Sequence, residues 1–284
     1  LNQHGTEEQQ STYLTPLLSG DWTGAMAMTE PQAGSDIGAI TCAAEPDGNA
    51  YRLKGQKIFI SWGDHNLTEN IIYLVLARLP ESPSGSKGIS LFIVPKFLPN
   101  KLGELITRND VQCVALEAKL GIHASPTCVM EFGADDGAKG WLIGEPNRGL
   151  ATMFTMMNSA RLAIGHEGLG ISERAYQQAK SYAKERLQGE DHEGNPATLI
   201  GFLDVRRMLL SMKARIEAMR ALCYDAGLSV DLAAHHPDKA VRMLHNDRVG
   251  LLTPIVKAWC TNGAVEVTST NIQIHGGLGY IEDT

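Results

Sequence analysis

The nine residues from 28 to 36 read Met-Thr-Glu-Pro-Gln-Ala-Gly-Ser-Asp and place several hydroxyl and carboxylate groups close together in the chain. Pro31 fixes one φ angle of this segment. Gly34 has no Cβ, so a ligand can approach the backbone there closely. Such a segment can hydrogen-bond to a polar, planar or phosphate-bearing molecule. The sequence therefore predicts a ligand-binding loop here.

The elements that must hold this loop change along the chain. Thr6 and Gln9 resemble the capping pair of a helix over residues 6–19. After Trp22, short alternating or apolar runs are separated by turn residues, which favours a small β-sandwich or barrel. These runs are Gly24–Met28, Ala39–Ala44, Tyr51–Leu53, Lys57–Ser61, Ile71–Ala77, Ile89–Val94 and Thr127–Phe132.

The second half of the chain has helical periodicity. One long helix is predicted from about Gly149 to Glu185, a second from Asp204 to Ala234, and a third from near Pro254 to Ile274. The first contains Gly165, Gly168 and Gly170, which we expect to admit another helix or a ligand at close range. The predicted fold class is α+β, a small β-barrel or sandwich followed by an antiparallel bundle of long helices. The predicted domains are 1–22, the tail of a helical domain, then 23–140 and 141–284.

Composition excludes several classes of protein. The formal charge of −7 argues against nucleic acid as the main partner. The sequence has no apolar stretch long enough to span a bilayer and no signal peptide, so we expect neither a membrane span nor secretion. Its five cysteines form no CxxC pair and are expected to be buried free thiols, and no zinc-ligand spacing occurs. The pair His235-His236 before Pro237 is interpreted as a solvated helix end, so no metal site is predicted.

Several motifs occur together in one order. The loop at 28–36 contains TEPxAGSD, and residues 54–61 read KGQKIFIS. Residues 119–127 read KLGIHASPT, 159–161 SAR, 185–189 ERLQG and 273–280 QIHGGLGY. In this order they resemble the acyl-CoA dehydrogenase family, and within it the larger bacterial subgroup that includes 3-(methylthio)propionyl-CoA dehydrogenase. The resemblance covers almost the whole chain.

The resemblance implies an oxidoreductase of fatty-acid β-oxidation that converts an acyl-CoA to the trans-2-enoyl-CoA with FAD as cofactor. In this reaction a carboxylate removes the α proton while the β hydrogen leaves as hydride to the flavin. The α proton is weakly acidic, so the thioester carbonyl must be polarised by hydrogen bonds in a dry site. Electron-transfer flavoprotein is the implied electron acceptor, a homodimer or homotetramer the implied assembly, and the bacterial cytoplasm the implied location.

Four residues match positions beside the flavin ring in this family. Met28 and Thr29 match positions that contact the ring through backbone and hydroxyl groups. Phe59 takes a position usually held by tryptophan next to the isoalloxazine, keeping the aromatic face and losing the indole N–H. Ser61 replaces a threonine whose hydroxyl lies near flavin N5.

Other positions match contacts to the substrate or to the nucleotide end of FAD. Gly34 and Ser35 match positions near the flavin and the CoA chain. Arg161, with Asn158 on the same helical turn, matches the CoA side. Arg186 matches an arginine that reaches the FAD of a neighbouring subunit, where a guanidinium suits a diphosphate. The turn that meets the adenosine-diphosphate portion is matched by Gln273, Gly276 and Gly277.

Taken singly, these residues have ordinary structural explanations. Thr29 could cap a turn, Phe59 could be a core aromatic, and Arg161 and Arg186 could be surface charges. The pair Gly276-Gly277 could end a helix, with a structural histidine at position 275. The functional interpretation depends on their joint occurrence in order.

No catalytic base is identified in this sequence. The family places its glutamate either beyond the QxxGGxGY turn or directly before the arginine matched by Arg161, where this chain has Ala160. Glu167 shares that helix face but lies roughly 10 Å further along the axis, and Glu30 is expected to have a structural role. We expect the base beyond Thr284, and we expect the chain to be a piece of a longer enzyme truncated at both ends.

Other functions remain open at this point. An acyl-CoA oxidase shares most of these motifs and differs in allowing O₂ to reach the reduced flavin, and a related flavin-dependent oxidase or monooxygenase is a variant of the same idea. A non-catalytic flavin- or CoA-binding scaffold belongs to a different class. A protein that uses these faces only for self-association is the remaining alternative.

Overall fold

The computed structural model describes residues 1–100 and 104–282. The chain divides into two compact units, Leu1–Thr155 and the part from Met156 onward. Within the described residues, no helix is both long and apolar enough to cross a membrane.

The first unit opens with the predicted helical segment. Thr6 and Gln9 form a complete capping box at the start of α1 (Glu7–Gln9), as expected. A π-helical turn follows at Gln10–Leu14, then α2 (Thr15–Ser19). The Gln9 amide donates to the Leu142 carbonyl at 2.8 Å, which ties this segment to the sheet.

A mixed eight-stranded sheet forms the body of the first unit. The strands that the structure describes in this unit are β1 (Trp22–Ala27), β2 (Ala43–Asp47), β3 (Ala50–Ser61), β4 (Asn70–Arg78), β5 (Ile89–Pro95), β6 (Phe97–Pro99), β7 (Leu105–Arg108), β8 (Val111–Leu116), β9 (Thr127–Phe132) and β10 (Ala138–Ile143). The path of the sheet runs β1, β4, β5, β10, β3, β9, β8, and β2 pairs with both β3 and β4, so strands β4, β5, β10, β3 and β2 form a closed ring. Strands β1 and β4 are parallel, as is the single β2–β4 bridge, and the other described pairings in the sheet are antiparallel.

The sheet confirms the predicted β domain and corrects its details. The runs predicted at Tyr51–Leu53 and Lys57–Ser61 are one twelve-residue strand, β3. The run predicted at Ala39–Ala44 begins with a 3₁₀ turn (Ile37–Ala39), and β2 starts later, at Ala43. Strand β10 was not predicted because Lys139 and Gly140 interrupt its apolar pattern. It forms because it pairs with both β3 and β5.

Three long helices account for most of the second unit, and the first of them begins near the end of the first unit. They are α3 (Gly149–Glu185), α4 (Leu203–His235) and α5 (Lys239–His275). A short hairpin, β11 (Leu187–Glu190) and β12 (Pro196–Thr198), and a 3₁₀ turn (Leu199–Gly201) join α3 to α4. A second 3₁₀ turn, Gly276–Tyr280, follows α5.

The predicted start of the third helix near Pro254 is wrong. The helix starts fifteen residues earlier, at Lys239, where the Asp238 side chain caps it by accepting from the Ala240 N–H at 2.8 Å. Pro254 lies inside α5 and removes one intrahelical hydrogen bond. Burial of Leu252 and Val256 on either side stabilises the helix through the proline.

Side-chain contacts show how α4 and α5 run relative to each other. Cys223 and Cys260 lie 3.7 Å apart between their Sγ atoms, and Arg215 pairs with Glu266 at 2.6 Å. The residue with the higher number in α4 contacts the residue with the lower number in α5, so these two helices are antiparallel. All five cysteines are free; four are buried, as expected, and Cys113 is only half-buried.

Two of the three clustered glycines of α3, Gly165, Gly168 and Gly170, lie where α5 passes closely. A Cβ added at Gly165 would lie 2.4 Å from Val256 Cγ1, and one at Gly168 would lie 2.9 Å from the Cys260 carbonyl oxygen. The residue numbers of these contacts increase together along α3 and α5, so the two helices are parallel. Gly170 faces open space, with nothing within 4 Å of its added Cβ. The expected close approach of another helix is confirmed at the first two glycines, whereas no described residue of another element lies close to the third.

Replacing Gly168 with alanine should destabilise the protein by about 1–3 kcal/mol, because the new methyl group meets backbone that cannot rotate away. Gly170→Ala is the matched control on the same helix. It should stabilise the protein by about 0.5–1 kcal/mol through helix propensity alone. Chemical denaturation of both variants measures the difference, and equal effects would contradict the packing assigned to Gly168.

Candidate functional site

A buried ion pair lies under the loop at residues 28–36. The Lys57 ammonium is 2.8 Å from Glu30 Oε1, and the two residues are 0% and 2% exposed. Lys57 also donates to the carbonyls of Met28 at 3.0 Å and Leu76 at 2.7 Å, so each of its three N–H groups has an acceptor.

The Glu30 carboxylate accepts hydrogen bonds on both of its oxygens. Its Oε2 accepts from the Thr41 N–H at 2.7 Å and from the Gln32 amide at 2.6 Å. Its Oε1 accepts from the Cys42 N–H at 3.1 Å as well as from Lys57. Burial alone would raise the pKa of Glu30, but the charge and hydrogen bonds around it outweigh burial and lower that pKa. Glu30 is therefore ionised and structural, as expected.

A β-bulge re-aims the side chains of β3 beside this loop. Lys57 pairs with Met130 and Ile60 with Cys128, so β3 has one extra residue between them. Lys57 and Ile60 both point inward although they are three residues apart, and Phe59 turns outward with a side chain 59% exposed. Phe59 has φ 61°, a conformation that costs a non-glycine residue on the order of 1–3 kcal/mol.

The loop and the bulge lie side by side. The Ile58 N–H donates to the Thr29 carbonyl at 2.8 Å, one residue before Phe59. In residues 1–100 and 104–282, no hydrogen bond involves the hydroxyls of Thr29, Ser35 or Ser61. Gly34 is exposed, with nothing within 4 Å of an added Cβ. This surface combines an exposed aromatic face, free hydroxyls and open backbone.

The helical unit contains the other predicted residues in two groups. Asn158 and Arg161 are half-buried on the same turn of α3, and Arg161 Nη1 lies 3.4 Å from Asn158 Oδ1. Arg186 follows the end of α3 with an exposed side chain, and no described residue pairs with its guanidinium.

The turn at the end of α5 contains the remaining predicted residues of the helical unit. Gln273 is exposed, and its backbone carbonyl accepts from the Gly276 N–H. Gly276 has φ 61° and ψ −134°, a conformation that favours glycine. Nothing lies within 4 Å of an added Cβ at Gly276 or Gly277, so a ligand can approach this backbone closely.

The described residues offer no evident catalytic base at these surfaces. Glu30 is already bonded on both oxygens, and Ala160 has no acceptor group. Glu167 is exposed on α3 and forms no ion pair or hydrogen bond with any described residue.

A cavity lies elsewhere in the first unit. It measures about 520 Å³ and includes Arg52, Arg108, Asp110 and Lys139 in its lining, but none of the predicted site residues. Asp110 Oδ2 accepts from the N–H groups of residues 135, 136 and 137, so the Asp110 carboxylate has a structural role in this cavity. Among the residues that the structure describes, no cluster of potential metal ligands occurs.

Comparison with known proteins decides what these surfaces belong to. Residues 25–134 match the middle domain of acyl-CoA dehydrogenases, and residues 147–284 match their C-terminal domain. The chain belongs to the acyl-CoA dehydrogenase family. The resemblance inferred from the ordered motifs is therefore confirmed.

Individual members of the family show the extent of the similarity. The chain is 49% identical to the 3-methylmercaptopropionyl-CoA dehydrogenase of Ruegeria pomeroyi over 99% of its own length and 48% of that protein. It matches a chain in the structure of the electron transferring flavoprotein of Acidaminococcus fermentans with a TM-score of 0.78 and 31% identity, covering 99% of this chain and 65% of that one. The butyryl-CoA dehydrogenase of Megasphaera elsdenii gives a TM-score of 0.79 and 28% identity over 99% and 65%. The chain spans about half the length of the curated relatives it matches.

FAD is the cofactor of this family, and the residues present fit it in chemical type. Free hydroxyls at Thr29 and Ser61 can hydrogen-bond to the polar edge of an isoalloxazine. The exposed face of Phe59 can pack on its ring. In the helical unit, the exposed guanidinium of Arg186 and the open backbone at Gly276 suit a diphosphate.

Two features of the site were not predicted from the sequence. Lys57 was recognised only as part of a motif, although a lysine in the apolar strand segment 57–60 is a signal of a buried ion pair. Trp62, directly after Ser61, is 39% exposed and also has a positive φ of 54°. Its ring packs edge-on against His65 at 5.7 Å, which no local pattern indicates.

Glu30→Gln should destabilise the protein by about 3–5 kcal/mol, because it leaves the Lys57 ammonium buried without a counter-charge. The double variant Glu30→Gln with Lys57→Met should recover part of that loss. Asp225→Asn, which breaks an exposed ion pair with Arg248, is the control and should cost about 1 kcal/mol or less. Denaturant unfolding compares the variants, and strictly additive effects in the double variant would contradict the coupling.

The lowered pKa of Glu30 predicts a specific acid sensitivity. Its ordinary value is 4.5, so the stability it contributes is complete above about that pH and is lost as pH falls through the lower folded value. The melting temperature of the native protein should therefore fall more steeply below pH 4.5 than that of Glu30→Gln. Parallel melting curves for the two proteins over this range would show that Glu30 does not supply the effect.

Proposed function

We propose that this chain supplies the cofactor and thioester surfaces of an FAD-dependent acyl-CoA dehydrogenase that forms a trans-2-enoyl-CoA. The observation that supports this most strongly is the joined loop and bulge, where the Ile58–Thr29 hydrogen bond places free hydroxyls beside an exposed, strained Phe59. FAD, when bound, accepts the β hydrogen as hydride.

In this proposal the β unit holds the flavin ring. Met28 and Thr29 contact its polar edge through backbone and hydroxyl groups, and Ser61 donates a hydrogen bond near its reactive centre. Phe59 covers one face and excludes water from it. The Glu30–Lys57 pair keeps Met28 in place, since the Lys57 ammonium binds the Met28 carbonyl.

The substrate and the nucleotide end of FAD are assigned to the remaining residues. Gly34 and Ser35 lie on the open side of the loop and are proposed to meet the CoA chain and the flavin. Asn158 and Arg161 are proposed for the substrate side. For the adenosine-diphosphate portion we propose Arg186, Gln273, Gly276 and Gly277. The base that removes the α proton is assigned to no described residue, and its proposed place remains C-terminal to Thr284.

The similarities also support proposals on substrate and partners. Relatives named for 3-methylmercaptopropionyl-CoA and butyryl-CoA suggest a short acyl chain. The match within an electron transferring flavoprotein structure supports such a flavoprotein as electron acceptor. We also propose a homodimer or homotetramer, in which Arg186 reaches the FAD of a neighbouring subunit.

Location and domain limits are proposed on separate grounds. The five free thiols suit the reducing cytoplasm. The domains proposed from sequence are 1–22, 23–140 and 141–284, supported by family matches at 25–134 and 147–284.

The complete gene product should be purified with bound FAD and should show bleaching of the flavin absorbance when short acyl-CoAs are added without oxygen. Butyryl-CoA and 3-methylmercaptopropionyl-CoA are the first substrates to test. Rapid peroxide formation in air would indicate an oxidase instead. A folded protein that binds no flavin would contradict the proposal.

Phe59 provides a variant that separates binding from folding. Phe59→Ala removes an exposed ring, so stability should change little while FAD affinity falls by about two- to tenfold. Phe59→Trp restores the residue usual in the family and should bind FAD at least as tightly as the native protein. Ile106→Ala, an exposed residue of β7, is the control and should leave FAD affinity unchanged.

A further inference from the structure

An aromatic stack joins the ends of α3 and α5. The rings of Tyr182 and His275 lie 4.4 Å apart between centroids, with planes 20° from parallel. Tyr182 lies in the last turn of α3, and His275 is the final residue of α5. Because these helices run parallel, the contact connects their C-terminal ends. Neither ring is among the proposed cofactor contacts.

Each residue of the stack is linked through the backbone to a proposed FAD contact. The Arg186 N–H donates to the carbonyl of Tyr182, which lies one helical turn earlier, at 2.8 Å. His275 is followed immediately by Gly276 and Gly277. The stack therefore lies between two groups that are far apart in sequence and are proposed to meet the same end of FAD.

The glycine turn is held against α5 by its own contacts. Gly276 donates to the Gln273 carbonyl, and an added Cβ at Gly279 would lie 2.6 Å from the Ile272 carbonyl oxygen. These contacts fold the turn onto the end of α5 and do not reach α3. The side chain of His275 reaches α3 through its contact with Tyr182.

The orientation of the imidazole is set by its own helix. His275 Nδ1 lies 2.9 Å from the Asn271 carbonyl oxygen. A carbonyl only accepts, so Nδ1 carries the hydrogen and donates it. The ring is thus restrained in χ and presents its face to Tyr182, which itself packs against the core of the helical unit.

We propose that the Tyr182–His275 stack is a positioning contact for FAD, which holds Arg186 and the Gly276–Gly277 turn at a fixed separation. Groups that bind one ligand from two elements need their relative positions fixed to within about 0.5 Å. The inference rests on the proposed function, which assigns Arg186 and the turn to the adenosine-diphosphate portion. It adds two residues that act on the cofactor without touching it.

The test measures FAD affinity of the apoprotein made from the complete gene, by fluorescence titration, together with thermal unfolding. His275→Ala and Tyr182→Leu should each weaken FAD binding by about two- to tenfold, the contribution of one aromatic pair. His275→Phe and Tyr182→Phe keep both rings and should bind FAD like the native protein.

Two control variants separate the stack from its surroundings. His166 Nδ1 donates to the Leu162 carbonyl at 2.8 Å in the same i to i−4 pattern, and no ring of a described residue stacks on it. His166→Ala should leave FAD affinity unchanged. Tyr176 packs against the same core as Tyr182, so Tyr176→Leu should lower the melting temperature without weakening FAD binding.

Two results would overturn the inference. One is native affinity in His275→Ala, and the other is equal weakening in His275→Ala and His275→Phe. In either case FAD binding by the native protein would leave the proposed function intact. Absence of FAD binding by the native protein would instead overturn the proposed function, and this inference with it.

Discussion

The buried pair of Glu30 and Lys57 is the interaction on which the candidate flavin surface depends. Two opposite charges removed from water are stable only when their remaining hydrogen-bonding groups are satisfied. Here the remaining partners are the Gln32 side chain and backbone groups of three separate segments, namely Met28 after β1, residues 41–42 before β2, and Leu76 in β4. Satisfying the charges therefore also fixes the relative positions of these segments.

Strand β3 contains a residue that stabilises the fold and, two positions later, a residue with a strained backbone. Lys57 contributes hydrogen bonds inside the sheet, while Phe59, two residues later, takes an unfavourable backbone conformation outside it. The bulge permits both, because the extra residue lets Ile60 return to the core. An exposed aromatic ring in such a conformation costs free energy, which fits the role proposed for Phe59 beside the flavin.

The sequence predicts the kinds of elements well and their limits less well. Helices with a clear apolar stripe, such as α4, were placed within a residue or two, because periodicity follows directly from burial of one face. The start of α5 was missed since its first turns bury little and Pro254 gives a stronger local signal than the cap at Asp238. Strand β10 was missed since its pairing with β3 and β5 is a tertiary effect.

The same division applies to the candidate site. The positions of Thr29, Phe59 and Gly276 could be named because ordered motifs link them to a family. The order of such motifs along a chain stays recognisable even where individual residues differ. The bulge could not be predicted, since one extra residue in a strand leaves no trace in composition. The stack between Tyr182 and His275 joins residues 93 positions apart and depends on parallel helices, which no local pattern specifies.

The composition of α5 has a consequence for its dynamics. Its first buried residue is Leu252, so the thirteen residues before it have no side chain in the core, and Pro254 leaves a gap in the hydrogen bonds just beyond. A helical segment held mainly by its own backbone opens at lower free energy than the packed remainder. We therefore expect amide hydrogens of residues 239–251 to exchange with solvent through local openings, and those near Cys260 to exchange only when the helical unit unfolds. On this basis the long helix consists of two segments of unequal stability.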